Sequence, residues 1–172
     1  IENNFKSPNR VQLMGSGTIL REVEAAVALL NDDWSVAADV WSITSANELR
    51  RDGLACQRWN MLHPEETPKV PYITEQLNDT EGPFIAATDY MKLYADQLRP
   101  YVPGRFNVLG TDGFGRSDTR AKLRHFFEVN RYFIVISALS ALVDEAKLDS
   151  SVIKQALKKY GISADKIDPT TV

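Results

Sequence analysis

The sequence predicts an open α/β domain with a mainly parallel sheet and helices on both faces. Short apolar, β-branched segments alternate along the chain with longer segments whose apolar residues recur at helical spacing. The first pair is joined by a glycine-rich turn, as at the start of a βαβ unit. Strands that alternate with helices in this way favour parallel pairing, because each helix carries the chain back across a face of the sheet.

Composition indicates a single globular domain. The chain has 172 residues, of which 44% are hydrophobic and 25% charged. Its one cysteine, Cys56, excludes an intrachain disulfide and favours a reducing, cytoplasmic location. The net charge of −3 without a basic block disfavours nucleic-acid binding. The longest apolar run, residues 132–143, falls short of the roughly 20 residues that span a bilayer, so we expect no membrane segment.

The first part of the chain predicts one strand and one amphipathic helix. Residues 1–10 are polar and aperiodic, so we interpret them as a linker or the end of a preceding domain, with the α/β domain at 11–172. A strand at 11–14 ends in the Gly15-Ser16-Gly17 turn, and a helix follows at 18–31. Its apolar positions share one face, namely Ile19, Val23, Ala26, Val27 and Leu30.

The next segment predicts a strand and a long capped helix. Residues 36–43 are rich in β-branched and aromatic side chains, which favours a strand. Ser45 and Glu48 have the spacing of a capping box, in which the serine hydroxyl accepts from the Glu48 amide and the carboxylate reaches back. The helix runs towards Leu62, and Pro64 ends it.

The remaining elements follow the same alternation. We predict a short helix at 73–78, a strand at 84–88, a helix at 90–98 and a strand at 106–111. A further helix is capped at residues 117–118, and a last one is capped at 149–150 and ended by Gly161.

The apolar segment at 132–146 is long enough to favour a buried helix over a strand. One interpretation places this helix in the core. The other has part of it pack against a neighbouring domain or subunit, as an exposed apolar patch would.

Ligands of parallel sheets bind beyond the carboxyl ends of the strands, so this edge holds the candidate site. Gly15, Ser16 and Gly17 resemble the start of a dinucleotide fingerprint, but Leu20 stands where a third glycine would permit close helix–strand approach. Nucleotide binding and a simple tight turn therefore both remain open.

Asp89 and Asp112 follow two strands that could be neighbours. Together their carboxylates could hold Mg²⁺ or act as an acid and a base. The alternative is that each caps the helix that begins just after it in the chain.

The cysteine and histidines do not form a catalytic pattern. Cys56 and His63 are separated by about 10 Å along one helix, too far for a thiolate–imidazole pair. Cys56 is expected to pack with Trp59 and Leu62 on an apolar helix face, and His125 to be packed or at the solvent edge. We predict no catalytic, cofactor-binding or metal-binding residue in this chain.

Several strings are similar to a known family. The most specific are W-N-M-L-H-P at 59–64 and G-T-D-G-F-G-R-S-D at 110–118. The similar stretches are 51–53, 58–64, 67–68, 70–73, 88–93, 101–103 and 108–118. From about residue 11 to its end, the chain resembles the C-terminal domain of the homodimeric bacterial pyruvate dehydrogenases, which are transketolase-like thiamine diphosphate enzymes.

The resemblance implies an accessory role within a larger enzyme. The whole enzyme decarboxylates pyruvate and passes the acetyl group to the lipoyl group of dihydrolipoyl acetyltransferase, using thiamine diphosphate and Mg²⁺ bound by domains absent from this chain. The resemblance makes this chain a structural and assembly domain. Its implied partners are the catalytic domains of the same subunit, the second subunit of a homodimer and the acetyltransferase, which we expect to dock elsewhere; no nucleic acid and no membrane are expected.

A second hypothesis makes the domain a regulatory ligand-binding module. Glycine turns at helix N-termini present backbone N–H groups that suit a small anion or nucleotide. The candidate residues lie at the carboxyl edge of the sheet, namely Gly15, Ser16, Gly17, Asp89, Asp112 and Gly113.

Overall fold

The computed structural model describes residue 1 and residues 4–172, and its centre is a four-stranded parallel sheet. The strands are β1 (Arg10–Gly15), β2 (Ala37–Ser42), β3 (Phe84–Ala87) and β4 (Phe106–Leu109), in the order β2-β1-β3-β4. All three neighbouring pairs are parallel. The predicted parallel α/β class is therefore confirmed.

Helices cover both faces of this sheet. They are α1 (Leu20–Trp34), α2 (Ala46–Leu62), α3 (Tyr72–Leu77), α4 (Lys92–Asp96), α5 (Arg120–Phe126), α6 (Arg131–Asp144) and α7 (Ser151–Lys159). Val11 and Leu13 of β1 face the core layer formed with α1, α6 and α7. Met14 of β1 and Phe84 of β3 face the opposite layer, formed with α2, α3 and α4.

Helix ends agree with the sequence at some positions and differ at others. The Ser45 hydroxyl accepts from the Glu48 amide at 3.2 Å, as predicted, but the Glu48 carboxylate pairs with Arg51 instead of reaching back. The predicted cap at 117–118 was wrong: Thr119 caps α5 by accepting from the Lys122 amide. Gly161 adopts the left-handed conformation just after α7, with φ of 64°, as its C-terminal role requires.

The apolar segment at 132–146 forms part of the core. Residues 120–144 are long and apolar enough, by length and composition alone, to cross a membrane. In the structure they form two separate helices, α5 and α6. Ile134, Ala138 and Leu142 of α6 are fully buried beneath the sheet. The core interpretation of this segment therefore accounts for its apolar character.

Residues before β1 contact the domain at several points. The Ser7 hydroxyl donates to the Ser35 carbonyl at 2.6 Å, and Arg10 begins β1 and pairs with Asp39. Residues 2 and 3, which belong to the predicted linker at 1–10, lie outside the described residues. The boundary between linker and domain stays a prediction.

Candidate functional site

The carboxyl edge of the sheet has a topological switch point between β1 and β3. Strand β1 lies between β2 and β3, so the chain leaves β1 towards one side of the sheet and reaches β3 on the other. In open α/β sheets this is where ligands usually bind. The segments that meet here are the turn after β1 and residues 88–89 after β3.

Side chains from the two strand ends bind one another across the switch point. The buried Ser16 hydroxyl donates to the hydroxyl of Thr88 at 2.8 Å. The Thr18 hydroxyl donates to the Asp89 carboxylate at 2.7 Å. These two hydrogen bonds join the ends of β1 and β3 at the place where such sheets usually bind ligands.

The glycines of the first turn have structural roles. A Cβ on Gly15 would lie 2.9 Å from the Leu20 Cα and 3.1 Å from Val23, so only glycine lets α1 approach β1 this closely. Gly17 has φ of 55°, a conformation that glycine adopts without strain. Gly15 thus permits the close helix–strand approach that a third glycine permits in a dinucleotide fingerprint, which explains why Leu20 is tolerated.

The two aspartates do not act as caps in the predicted way. The Asp112 carboxylate accepts from the Lys92 amide at 2.9 Å, so it caps α4, which precedes Asp112 in the chain. The Asp89 side chain accepts from Thr18 instead of capping the helix after it. The prediction that each aspartate caps the helix after it was wrong. Because β3 and β4 are parallel, Asp112 at the end of β4 lies beside the start of α4, which follows β3.

An open cavity of about 610 Å³ lies beside these groups. Thr18 and Asp89 form one side, and the glycine loop with α5 forms the other. Its remaining lining residues include Arg116, Asp118, Arg120 and Arg124. Residues of both charge signs therefore line the cavity.

A buried glutamate on α1 organises the neighbouring helices. The Glu22 carboxylate accepts from Arg124 of α5 at 3.0 Å and from the side chain of Arg131 of α6 at 2.9 Å. It also accepts from the Arg131 backbone amide at 3.0 Å. The hydrogen bond from the Arg131 side chain is the main cause that lowers the pKa of Glu22. Glu22 was missed from the sequence, although it lies three residues after Ile19 and four before Ala26 on the apolar face of α1.

The residues at this edge do not fit thiamine diphosphate and Mg²⁺. A magnesium site needs carboxylate or carbonyl oxygens directed at one point. Asp89 and Asp112 are instead directed at Thr18 and at the amide of Lys92. Within residue 1 and residues 4–172, no three His, Cys, Asp or Glu side chains lie close enough to hold a metal ion.

Cys56 and His63 are separate features of α2. Cys56 is buried, and burial raises the pKa of its thiol. His63 stacks on Trp59 with ring centroids 4.4 Å apart, and its Nδ1 lies 2.8 Å from the Trp59 carbonyl oxygen. The prediction that Leu62 shares a packed face with Cys56 was wrong, because Leu62 is 51% exposed.

The buried face of α2 consists of small residues. Ala46, Gly53 and Cys56 are the buried residues of this helix. In contrast, several large apolar side chains of α2, α4 and the segments beside them are exposed. They are Leu54, Met61, Leu62, Val70, Tyr72, Tyr90, Met91 and Leu93. Sequence reasoning missed this surface. The available signal was that Ala46, Gly53 and Asn60, which are seven residues apart, form a face of α2 without large apolar side chains.

Leu54 and Leu93 line a groove between α2 and α4, which we call the α2–α4 groove. Its volume is about 610 Å³, and Gln57, Pro100 and Tyr101 also line it. The groove exposes apolar side chains from two helices that pack on the same face of the sheet. Exposed apolar surface of this kind often marks an interaction site.

Curated relatives match nearly the whole chain. The pyruvate dehydrogenase E1 component of Pseudomonas aeruginosa is 56% identical over 98% of the chain, and that of Escherichia coli K12 is 53% identical over 95%. The chain spans only 19% and 18%, respectively, of the length of these two relatives.

A solved structure and a family model agree with this result. The inactive beta4 tetramer of a split-gene transketolase matches 80% of the chain and 40% of its own chain, with a TM-score of 0.53 and 14% identity, which supports the fold. Residues 2–130 match the model of the transketolase-like TK C-terminal domain, which is three quarters of the chain. The chain therefore belongs to the family of transketolase-like TK C-terminal domains.

Proposed function

We propose that this chain is the C-terminal structural and assembly domain of a bacterial pyruvate dehydrogenase E1 component. The whole subunit would catalyse the thiamine diphosphate-dependent decarboxylation of pyruvate and transfer the acetyl group to the lipoyl group of dihydrolipoyl acetyltransferase. Similarity over 98% of the chain to a protein of that name supports the assignment. The chain spans about a fifth of that relative, and the proposal assigns the catalytic domains to the rest of the subunit.

The observation that carries the accessory role is the pairing of strand ends at the switch point. The bonds from Ser16 to Thr88 and from Thr18 to Asp89 occupy the groups with which such sheets usually bind ligands. Accordingly, we assign no catalytic, cofactor-binding or metal-binding residue to this chain. Thiamine diphosphate and Mg²⁺ would bind the other domains of the subunit.

The exposed apolar side chains of α2 and α4 support an assembly role. Met61 is 71% exposed and Leu93 is 66% exposed, and such residues would be covered by the catalytic domains or by the second subunit of a homodimer. Residues 1–10 would link this domain to the preceding one. We place the subunit in the bacterial cytoplasm and expect the acetyltransferase to dock on another region.

The test is an activity assay of the chain and of the full-length subunit. Each is supplied with pyruvate, thiamine diphosphate, Mg²⁺ and an artificial electron acceptor. We expect turnover by the full-length subunit and none by residues 1–172. Calorimetry of the chain at millimolar pyruvate or thiamine diphosphate should show no binding heat. Turnover by the purified chain, or binding of either compound, would contradict the accessory role.

A regulatory site remains the second candidate because of the cavity beside the switch point. Arg116 and Arg120 line it and form no ion pair with any described residue; the Arg116 guanidinium lies over the Phe126 ring, 4.4 Å from its centroid. Nucleotides and acyl-coenzyme A compounds are the probes. A compound present at 100 times its Kd should stabilise the chain by about 2.7 kcal/mol. Arg116→Gln should abolish the rise in Tm, and if no compound changes the Tm, this candidate is wrong.

A further inference from the structure

Helix α5 is held in place by little buried surface. None of its seven residues, all of which the structure describes, is buried, whereas each of the other six helices buries at least one. The helix nevertheless forms one side of the cavity beside the switch point, which Arg120, Leu123 and Arg124 line. Elements with little buried surface open locally at low cost, so the position of α5 depends on individual contacts from neighbouring segments.

Residues 163–172, which we call the strap, hold the C-terminal end of α5. The ammonium group of Lys166 donates to the Phe126 carbonyl at 2.8 Å and to the Glu128 carboxylate at 3.0 Å. Only 16% of the Lys166 side chain is exposed, and its nitrogen lies 5.4 Å from the centroid of the Phe126 ring. Phe126 is the last residue of α5, so this one side chain fixes the end of the helix.

The joint between α5 and α6, residues 127–130, is strained. Glu128 has φ of 62°, a left-handed conformation that residues with a Cβ rarely adopt. Such a conformation persists only where neighbouring contacts hold it. The Glu128 carboxylate is held by Lys166, so displacement of the strap removes a contact that keeps the joint in this conformation.

The strap also contacts the glycine loop, residues 110–118, which precedes α5. Gly113 has φ of 108°, and a Cβ there would lie 2.3 Å from the Pro169 carbonyl oxygen. Pro169 is buried, and the Asp168 carboxylate fixes the turn around it by accepting from the Thr170 amide at 2.9 Å. The strap therefore contacts the chain on both sides of α5.

We propose that the strap is a latch that holds α5 closed over the cavity beside the switch point. When the strap is displaced, α5 loses its contact with Lys166, and the glycine loop loses its contact with Pro169. Arg124 still binds Glu22 and Thr18, so α5 moves at its ends and stays attached to the domain. The cavity then widens towards solvent. The latch does not depend on the proposed function.

The first test measures access to the cavity by thiol labelling. Val129 lines the cavity and is 1% exposed, so Val129→Cys places a thiol there, and Cys56→Ala removes the native one. We expect the labelling rate to rise at least about tenfold when Lys166→Met is added, because methionine keeps the length of the side chain but cannot donate. Lys158→Met, at an exposed position of α7, is the matched control and should leave the rate unchanged.

Hydrogen exchange separates opening of α5 from unfolding of the whole chain. In Lys166→Met, and in a variant that ends at Ile162, the amides of residues 123–127 should exchange at least about tenfold faster than in the unmodified chain. The amides of α1 and α6 should keep their protection, because the buried residues described for that core layer include none of the strap.

Two glycine variants test the latch from the side of the glycine loop. Gly113→Ala forces its Cβ against Pro169, so it should speed exchange in α5 as loss of the Lys166 ammonium does. Gly115→Ala is the matched control, because its Cβ would meet no described atom within 4 Å.

Three results would overturn the latch. One is that α5 exchanges equally fast in the unmodified chain, in Lys166→Met and in the variant that ends at Ile162. Another is that α1 and α6 lose protection together with α5, because the strap would then support the whole fold. The third is a Val129→Cys thiol that is labelled as fast without Lys166→Met as with it.

Discussion

Single polar residues inside this domain join elements that are distant in the chain. Gln12 is fully buried, and its amide nitrogen donates to Asp39 of β2 at 3.0 Å while its oxygen accepts from the Trp41 indole at 2.7 Å. Glu22 joins α1 to Arg124 and Arg131 in the same manner. Buried polar groups are costly unless bonded, so each of these contacts makes one arrangement of the helices and strands preferable to others.

Glu22→Gln should destabilise the isolated chain by about 1.5–3 kcal/mol, the usual worth of hydrogen bonds to a charged group. The amide keeps the shape of the carboxylate but leaves Arg124 and Arg131 without their anion. Urea unfolding measures the difference. Glu24→Gln, at an exposed position on the same helix, is the control and should change stability by less than about 0.5 kcal/mol. Equal losses for the two variants would contradict the role of Glu22.

The contribution of Glu22 should also depend on pH. Its pKa in the folded state is lowered, so the folded carboxylate binds a proton less readily than the unfolded one. The stabilisation is therefore fully present above the ordinary pKa of about 4.5 and is lost as pH falls through the lowered value. Unfolding curves of wild type and Glu22→Gln should converge on acidification. A difference in stability that stays constant to low pH would exclude this linkage.

Tyr160 should titrate late on the alkaline side. Burial is the main cause that raises its pKa from 10.0 to about 12, and the bond that it donates to Asp33 adds to the rise. The neutral phenol is thus favoured in the folded state. Its stabilisation is present below about pH 10 and is lost as pH rises through about 12. Tyrosinate absorbance should show one late component that Tyr160→Phe removes; an unchanged titration would contradict this prediction.

At the level of elements, the close packing of α2 is achieved with small residues. A Cβ on Gly53 would overlap the ring of Tyr101, which is buried in the layer beneath α2. Tyr101 also donates from its hydroxyl to Gln57 on the next turn of the helix, at 3.2 Å. The face of α2 with small residues therefore packs on Tyr101, and the larger apolar side chains of the helix are exposed.

Gly53→Ala should destabilise the chain, contrary to helix propensity. Alanine gains about 1 kcal/mol over glycine within a helix, but overpacking against Tyr101 costs about 1–3 kcal/mol. The net loss is measured by thermal or urea unfolding. Adding Tyr101→Leu should remove the overlap, so the double variant should lose less than the sum of the two single losses. A stabilised Gly53→Ala would show that α2 lies farther from Tyr101.

For the whole molecule, the proposed assembly role predicts a separation between the layer that stabilises the chain and the layer that assembles. The α1–α6–α7 layer buries most of its large apolar residues, whereas α2 and α4 expose several of theirs. Substituting those exposed residues removes little packing within the chain. Their effect should therefore appear only where another domain or subunit covers them.

Met61→Lys tests this separation. In the isolated chain it should change stability by less than about 0.5 kcal/mol, because Met61 is 71% exposed. In the full-length subunit it should weaken self-association or raise protease sensitivity between domains, measured by ultracentrifugation and limited proteolysis. Ile167→Lys, at a 62% exposed apolar position away from α2, is the control. Identical behaviour of the two variants would remove the case for an interface on α2.

Much of the fold followed from local patterns. The strands at 11–14 and 84–88 and the helix from Ser45 to Leu62 were predicted within a few residues, because period, caps and Pro64 act over short distances. Contacts between segments distant in the chain were not predictable in this way. Asp112 caps an earlier helix and Thr18 binds Asp89, and both depend on the order of the strands in the sheet.

The sequence by itself determined the α/β class, the helix and strand segments and, through long specific strings, the family resemblance. These properties follow from neighbours within about 20 residues, which share a helix, a turn or a strand. Only the tertiary structure decided how the carboxyl edge is used, which face of α2 is outward and that Ile1 pairs with Val40. Each of these depends on which segments the sheet brings side by side, because hydrogen bonds and close packing act across space and not along the chain.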